Sequence, residues 1–109
     1  MTTDLPPVVR TYLTTPKDEV GSILGQLFTG DAVVHDEGRT HSGIDAIRLW
    51  NDSVATAFTY TRTVVSATLW HNTVIVAARL AGDFPGSPVQ LHHHFSLADD
   101  KICALTICP

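Results

Sequence analysis

The first half of the chain carries apolar residues at helical spacing. Val8, Val9, Tyr12 and Leu13 recur in this way after a pair of prolines suited to a first turn. This pattern predicts a short first helix. Its apolar side then includes Tyr12, whose hydroxyl is the only polar group among those four side chains.

Two further segments start like capped helices. Thr15 to Asp18 combines a hydroxyl, a proline and a carboxylate, and it predicts a second helix that ends near Phe28 and is closed by Gly30. Ser42 to Asp45 repeats the pattern and predicts a third helix. The apolar face of the third helix is expected to comprise Ile44, Ile47, Trp50 and Val54.

The second half of the chain changes to a period of two. Residues 59–69, 73–81, 89–97 and 101–108 are rich in β-branched and aromatic side chains and predict four strands joined as hairpins. A short buried strand at residues 32–34 precedes them, followed by a polar loop. Helices before strands indicate an α+β domain, in which about three helices pack on a curved, mainly antiparallel sheet around a conical cavity.

Composition and net charge limit the partners and the cellular location that we expect for the protein. The 109 residues suit one domain, and the net charge of −4 without a Lys/Arg cluster argues against nucleic acid as a partner. No apolar run is long enough for a membrane span and no leader pattern is present, so we expect a cytoplasmic protein. Cys103 and Cys108 would lie about 16 Å apart on one strand, too far to pair, and are expected to be buried thiols.

Asp36 is the first candidate for chemistry because it closes the short apolar strand. A carboxylate at this place is either held against the apolar interior, where it could act as a base, or turned to water with Glu37 and Gly38 in an ordinary turn. The strand alone does not decide between the two.

The run Asp31-Ala32-Val33-Val34-His35-Asp36, with the order of elements, resembles the nuclear-transport-factor-2-like superfamily of cone-shaped α+β domains. This superfamily includes ketosteroid isomerases and SnoaL-like polyketide cyclases. The resemblance covers nearly all of residues 1–109 and implies one domain with a cystatin-like roll, a homodimer and an apolar small-molecule ligand. In ketosteroid isomerases the last Asp of the run is the general base, which implies this role for Asp36.

The same resemblance implies an oxyanion site and also reveals a departure from it. Tyr12 matches the oxyanion-hole tyrosine of the isomerases, at the same spacing to Asp36. The family's protonated acid lies two residues before a strand phenylalanine, where this chain has His93 before Phe95. A neutral imidazole can still donate one hydrogen bond. The supporting tyrosines of the family would fall on Phe28 and Asn51, so no phenol is available to polarise Tyr12.

Other residues admit two interpretations each. His92 and His94 share one face of a strand and could bind zinc with a third ligand, but the family register places them outside the cavity, so we expect no metal and no cofactor. Trp50 is either core or a ligand platform. Phe58 and Tyr60 could close the cavity mouth. Arg79, in an apolar strand, is expected to be exposed.

Three functions from different classes follow. The first is an isomerase or cyclase in which Asp36 moves a proton on an apolar carbonyl substrate while Tyr12 and His93 hold the oxyanion. The second is a protein that binds an apolar metabolite without chemistry. The third is a structural dimer module that fills its own cavity.

Overall fold

The helices occupy the first half of the chain. The computed structural model describes residues 5–109, in which α1 spans Pro7–Thr14 and α4 spans Ile44–Ala57. Between them a second helical region consists of α2 (Lys17–Val20), a 3-10 turn (Gly21–Ile23) and α3 (Leu24–Leu27). The three predicted helical regions are therefore present.

Six strands form one curved sheet in the order β2-β1-β6-β5-β4-β3. The strands are β1 (Phe28–Asp36), β2 (Arg39–Ser42), β3 (Tyr60–Trp70), β4 (Thr73–Gly82), β5 (Val89–Ala98) and β6 (Lys101–Cys108). Only β1 and β6 pair in parallel; every other pairing is antiparallel. The prediction of an α+β domain with a mainly antiparallel sheet is confirmed, and the fold is the cone-shaped one expected.

Several local predictions in the first half were wrong. The second helix is interrupted at Gly21, and Phe28 already begins β1, so Gly30 lies within a strand and does not close a helix. The predicted polar loop contains β2. Neither predicted cap forms, since the Thr15 hydroxyl donates to the carbonyl of Thr11 and the residue before α4 is Gly43, with φ of +86°.

The second helical region packs against α4 where it is interrupted. A Cβ at Gly21 would stand 2.6 Å from Oδ1 of Asp52, so a larger residue would require the Asp52 side chain to move. The carbonyl of Gly21 accepts a hydrogen bond from Nε of Arg48 on α4. The two helical regions therefore approach each other closely at Gly21.

The core lies between the helices and the concave face of the sheet. Its fully buried side chains come from every layer: Val9, Tyr12, Leu24, Phe28, Val34, Ile47, Phe95, Ile102 and Leu105. Cys103 and Cys108 are free thiols, as predicted, but each is only partly buried. No helix within residues 5–109 is long and apolar enough to cross a membrane.

Candidate active site

An open cavity of about 430 Å³ lies between α4 and the concave face of the sheet. Most of its wall is apolar, and its polar groups are few. The polar or ionisable lining residues are Lys17, Asp36, Glu37, Trp50, Tyr60, Arg62 and His93. The apolar lining residues are Val54, Phe58, Leu80, Phe84, Pro85, Val89, Leu91 and Ile107.

Asp36 is the last residue of β1 and lies in the cavity wall. Glu37 and Gly38 have φ of 52° and 74°, which makes the two-residue turn that returns the chain into β2. The turn that the sequence allowed is thus present, but it begins after Asp36. Nε1 of Trp50 donates a hydrogen bond of 3.0 Å to Oδ2 of Asp36, which orients the carboxylate from α4.

His93 is placed on the cavity side of β5, as expected from its register two residues before Phe95. Its side chain is only 1% exposed, its ring stacks on that of Phe95 at 6.2 Å, and its Nδ1 has no hydrogen-bond partner in the described chain. Burial, together with the cationic Arg62 and Lys17, lowers the pKa of His93 to about 3. The imidazole is therefore neutral at physiological pH and able to donate one hydrogen bond.

Tyr12 lies beneath the cavity and is not among the residues described as lining it. Its ring packs edge-on against Phe28 and Phe95, at 5.9 and 5.7 Å between centroids. Nζ of Lys17 donates to its hydroxyl oxygen at 3.3 Å. Burial raises the pKa of Tyr12, so the phenol stays neutral. Lys17 is therefore the hydrogen-bond partner that the structure shows for the Tyr12 hydroxyl.

Two cations in the wall were missed by sequence reasoning. Nζ of Lys17 lies 4.3 Å from the centre of the Trp50 ring, and burial lowers the pKa of Lys17 to about 8. Arg62 places its guanidinium carbon 5.5 Å from the centre of the Tyr12 ring, and its Nε is buried without a hydrogen-bond partner in residues 5–109. The signal for Arg62 was present in the sequence, since it shares a strand face with Tyr60.

Three residues that were predicted to line the pocket are buried outside the cavity lining. Phe28 and Phe95 are fully buried in the core, and Asn51 donates through Nδ2 to the backbone carbonyl of Lys17 at 3.0 Å. None of the three lines the cavity. Trp50 and Tyr60 do line the cavity. Because Trp50 is only 8% exposed, its side chain belongs to the hydrophobic core and also forms part of the surface available to a ligand.

The remaining candidates lie outside the cavity wall. His92 and His94 are partly buried on the strand face opposite His93, and Arg79 is exposed, as predicted. No group of three His, Cys, Asp or Glu side chains in residues 5–109 is arranged to hold a metal ion. The ionisable side chains that line the cavity are therefore Lys17, Asp36, Glu37, Tyr60, Arg62 and His93.

Solved structures similar to this chain share its whole length. A candidate polyketide cyclase from Sinorhizobium meliloti is 36% identical, with a TM-score of 0.89 over 95% of each chain. A protein from Catenulispora acidiphila with a ketosteroid isomerase-like fold, in complex with trimethylamine, is 18% identical, with a TM-score of 0.83 over 97% of this chain and 87% of its own.

A more distant structure has the same fold. An NTF2-like protein of unknown function from Cytophaga hutchinsonii is 11% identical, with a TM-score of 0.75 over 98% of this chain and 92% of its own. No protein-family model and no curated protein matches the chain. The similarity to the Sinorhizobium protein is thus at the level of both sequence and structure, whereas the other two share the fold.

Proposed function

Since the chain belongs to the nuclear-transport-factor-2-like superfamily, we propose that it is a small-molecule isomerase or cyclase that acts on an apolar carbonyl compound. It shares its fold with a candidate polyketide cyclase, to which it is 36% identical, and with a protein that has a ketosteroid isomerase-like fold. Asp36 is the proposed general base. It removes a proton from the carbon next to the carbonyl and returns it at the product carbon.

The observation that carries this proposal is the setting of the Asp36 carboxylate. Oδ2 accepts one hydrogen bond from Trp50, and no described group donates to Oδ1. The carboxylate thus lies in a largely apolar wall with one oxygen oriented and the other available to a ligand.

The developing oxyanion is proposed to face His93 and Lys17. The neutral imidazole can donate one hydrogen bond from within the wall, and the ammonium of Lys17 supplies positive charge. Tyr12 acts indirectly in this scheme, because its hydroxyl accepts from Nζ of Lys17 and so positions that group. This differs from the expectation that Tyr12 itself touches the oxyanion.

The cavity volume bears on the two other functions considered. About 430 Å³ of open space disfavours a structural module that fills its own cavity with side chains. A protein that binds a metabolite without chemistry would use the same cavity, and it differs from an enzyme only in turnover. The experiment must therefore measure proton transfer.

The test is solvent exchange of the α-protons of 2-tetralone, an apolar ketone, followed by NMR in deuterated buffer. We expect the protein to accelerate exchange and Asp36→Asn to lose at least about 100-fold of that acceleration. Asp31→Asn is the matched control, because Asp31 lies on the same strand but is exposed. Binding of 2-naphthol, the enol-like analogue, should persist in Asp36→Asn. Equal exchange rates for wild type and Asp36→Asn would refute the proposed base.

A further inference from the structure

We infer that the cavity recognises an apolar ligand that carries a carboxylate, and that Arg62 and Lys17 receive this carboxylate. The inference rests on the proposed function only in that both use the same cavity. The inference specifies that the apolar ligand also carries an anionic group. The ligand's ring system would occupy the apolar wall, and its carboxylate would lie on the side of the cavity where β3 meets the segment after α1.

The first reason is uncompensated positive charge. In residues 5–109 the one ion pair between side chains joins Arg48 and Asp45, on the exposed side of α4. Among the carboxylates of residues 5–109, none lies within 4.0 Å of Lys17 or Arg62. A charge that is partly removed from water without a partner is costly, and such groups are usually paired in folded proteins. A bound anion would supply the missing partner.

The second reason is the unsatisfied guanidinium. Nε of Arg62 is buried and has no hydrogen-bond partner in the described chain. A guanidinium presents its donors in a planar fork that matches the two oxygens of a carboxylate. The guanidinium carbon lies 5.5 Å from the centre of the Tyr12 ring, and no carboxylate in residues 5–109 forms an ion pair with it, so a ligand carboxylate could meet its Nε.

No other ionisable group in the wall forms an ion pair with these two cations. His93 is neutral, because its pKa is lowered to about 3, and Tyr12 is neutral, because its pKa is raised. The two carboxylates of the wall, Asp36 and Glu37, equal the cations in number, but neither lies within 4.0 Å of Lys17 or Arg62. The cations are therefore left without an ion-pair partner in a wall that is mostly apolar.

Lys17, Tyr60 and Arg62 also line a second cavity, of about 280 Å³, on the other side of their side chains. This second cavity has little apolar wall, since threonines and a proline make up most of its remaining lining. An apolar ring system is favoured by burial against apolar surface, so the main cavity is the site for the ligand. Trp50 lines only the main cavity and can report which one is occupied.

The experiment compares 2-naphthoate with the uncharged 2-naphthamide by isothermal titration calorimetry at pH 7. We expect the carboxylate to bind at least about tenfold more tightly, and Arg62→Met to remove most of this difference while changing amide binding little. Arg79→Met is the matched control, because Arg79 is an exposed arginine on the neighbouring strand. The indole N–H signal of Trp50, assigned with Trp70→Phe, should shift with naphthoate.

A second measurement uses the unaltered protein and does not depend on whether Arg62→Met folds. Lys17 faces Tyr12 on α1, Asp36 on β1 and both Tyr60 and Arg62 on β3. A carboxylate beside this ammonium should raise its pKa, so naphthoate binding should take up protons near pH 8 and weaken above it. Proton uptake is read from calorimetry in buffers of different ionisation enthalpy.

The outcomes separate this inference from the proposed function. If naphthoate and naphthamide bind equally, or if naphthoate leaves the Trp50 signal unchanged, the carboxylate site is refuted even where 2-tetralone exchange depends on Asp36. If naphthoate prefers the wild type over Arg62→Met but no α-proton exchange occurs, the site stands without the proposed chemistry. Asp36→Asn should tighten naphthoate binding, because it removes a negative charge from the cavity wall.

Discussion

Replacing Lys17 with methionine should stabilise the fold near neutral pH. Burial lowers the pKa of Lys17 from 10.5 to about 8. Because one pKa unit corresponds to about 1.4 kcal/mol, keeping the ammonium charged costs the folded protein roughly 3 kcal/mol relative to the unfolded chain. Methionine keeps the length of the side chain and carries no charge, so this cost disappears.

The gain in stability from Lys17→Met is partly offset, because the variant also loses two contacts of the lysine. Lys17 donates to the hydroxyl of Tyr12 and lies over the ring of Trp50. A hydrogen bond of this kind contributes about 1 kcal/mol. We therefore expect Lys17→Met to raise the free energy of unfolding by about 1 to 2 kcal/mol at pH 7, measured by urea denaturation at one fixed protein concentration.

The pH dependence of the free energy of unfolding tests whether the buried charge of Lys17 causes this difference. The folded pKa of Lys17 lies below its unfolded value, so between pH 8 and about 10 the unfolded chain binds more protons and wild-type stability rises with pH relative to the variant. The cost of the charge should fall to about 1 kcal/mol at pH 10, which removes or reverses the advantage of Lys17→Met. Lys101→Met, which removes the other lysine, controls for the loss of an amine. A wild-type-to-variant difference that is constant from pH 7 to 10 would refute the reasoning.

Two further predictions concern the backbone and the assembly. Gly82→Ala should destabilise the fold by about 3 kcal/mol or more in urea denaturation, because its Cβ would overlap the backbone at Thr59, whereas Gly25→Ala, with open space around it, should be neutral or stabilising. The resemblance implies a homodimer, and the exposed Val65 and Trp70, at 56% and 64%, give β3 an apolar surface. We expect sedimentation equilibrium to give a dimer that Val65→Asp weakens; a monomeric wild type would contradict this.

Most of the fold could be predicted from the sequence because its elements carry strong local signals. The four strands of the second half have clear two-residue periodicity and polar turns, and the observed bounds lie within one residue of those predicted. The second helix was predicted less well: it is interrupted at Gly21, where it contacts Arg48 of α4, and a contact between distant residues leaves no local signal in the sequence. The strand β2 was taken for a loop, since it is short, polar and lies at the edge of the sheet.

The residues of the site could be predicted from the sequence only at positions that match the motif of the family. Asp36, Trp50 and His93 line the cavity, but Tyr12 is separated from it by Lys17, a contact between side chains five residues apart that no periodicity predicts. Lys17 was read only as part of a helix start. Arg62 was not considered, although strand alternation places it beside Tyr60.

The electrostatics at His93 are compatible with the two cations of the wall. In the ketosteroid isomerases that the chain resembles, the acid at the position of His93 donates a hydrogen bond only while protonated, which requires surroundings free of strong positive charge. Two neighbouring cations would instead ionise such an acid. A neutral imidazole tolerates Lys17 and Arg62, because burial lowers the pKa of His93 and both cations act in the same direction. The histidine and the two cations are therefore consistent with the negatively charged ligand that we propose.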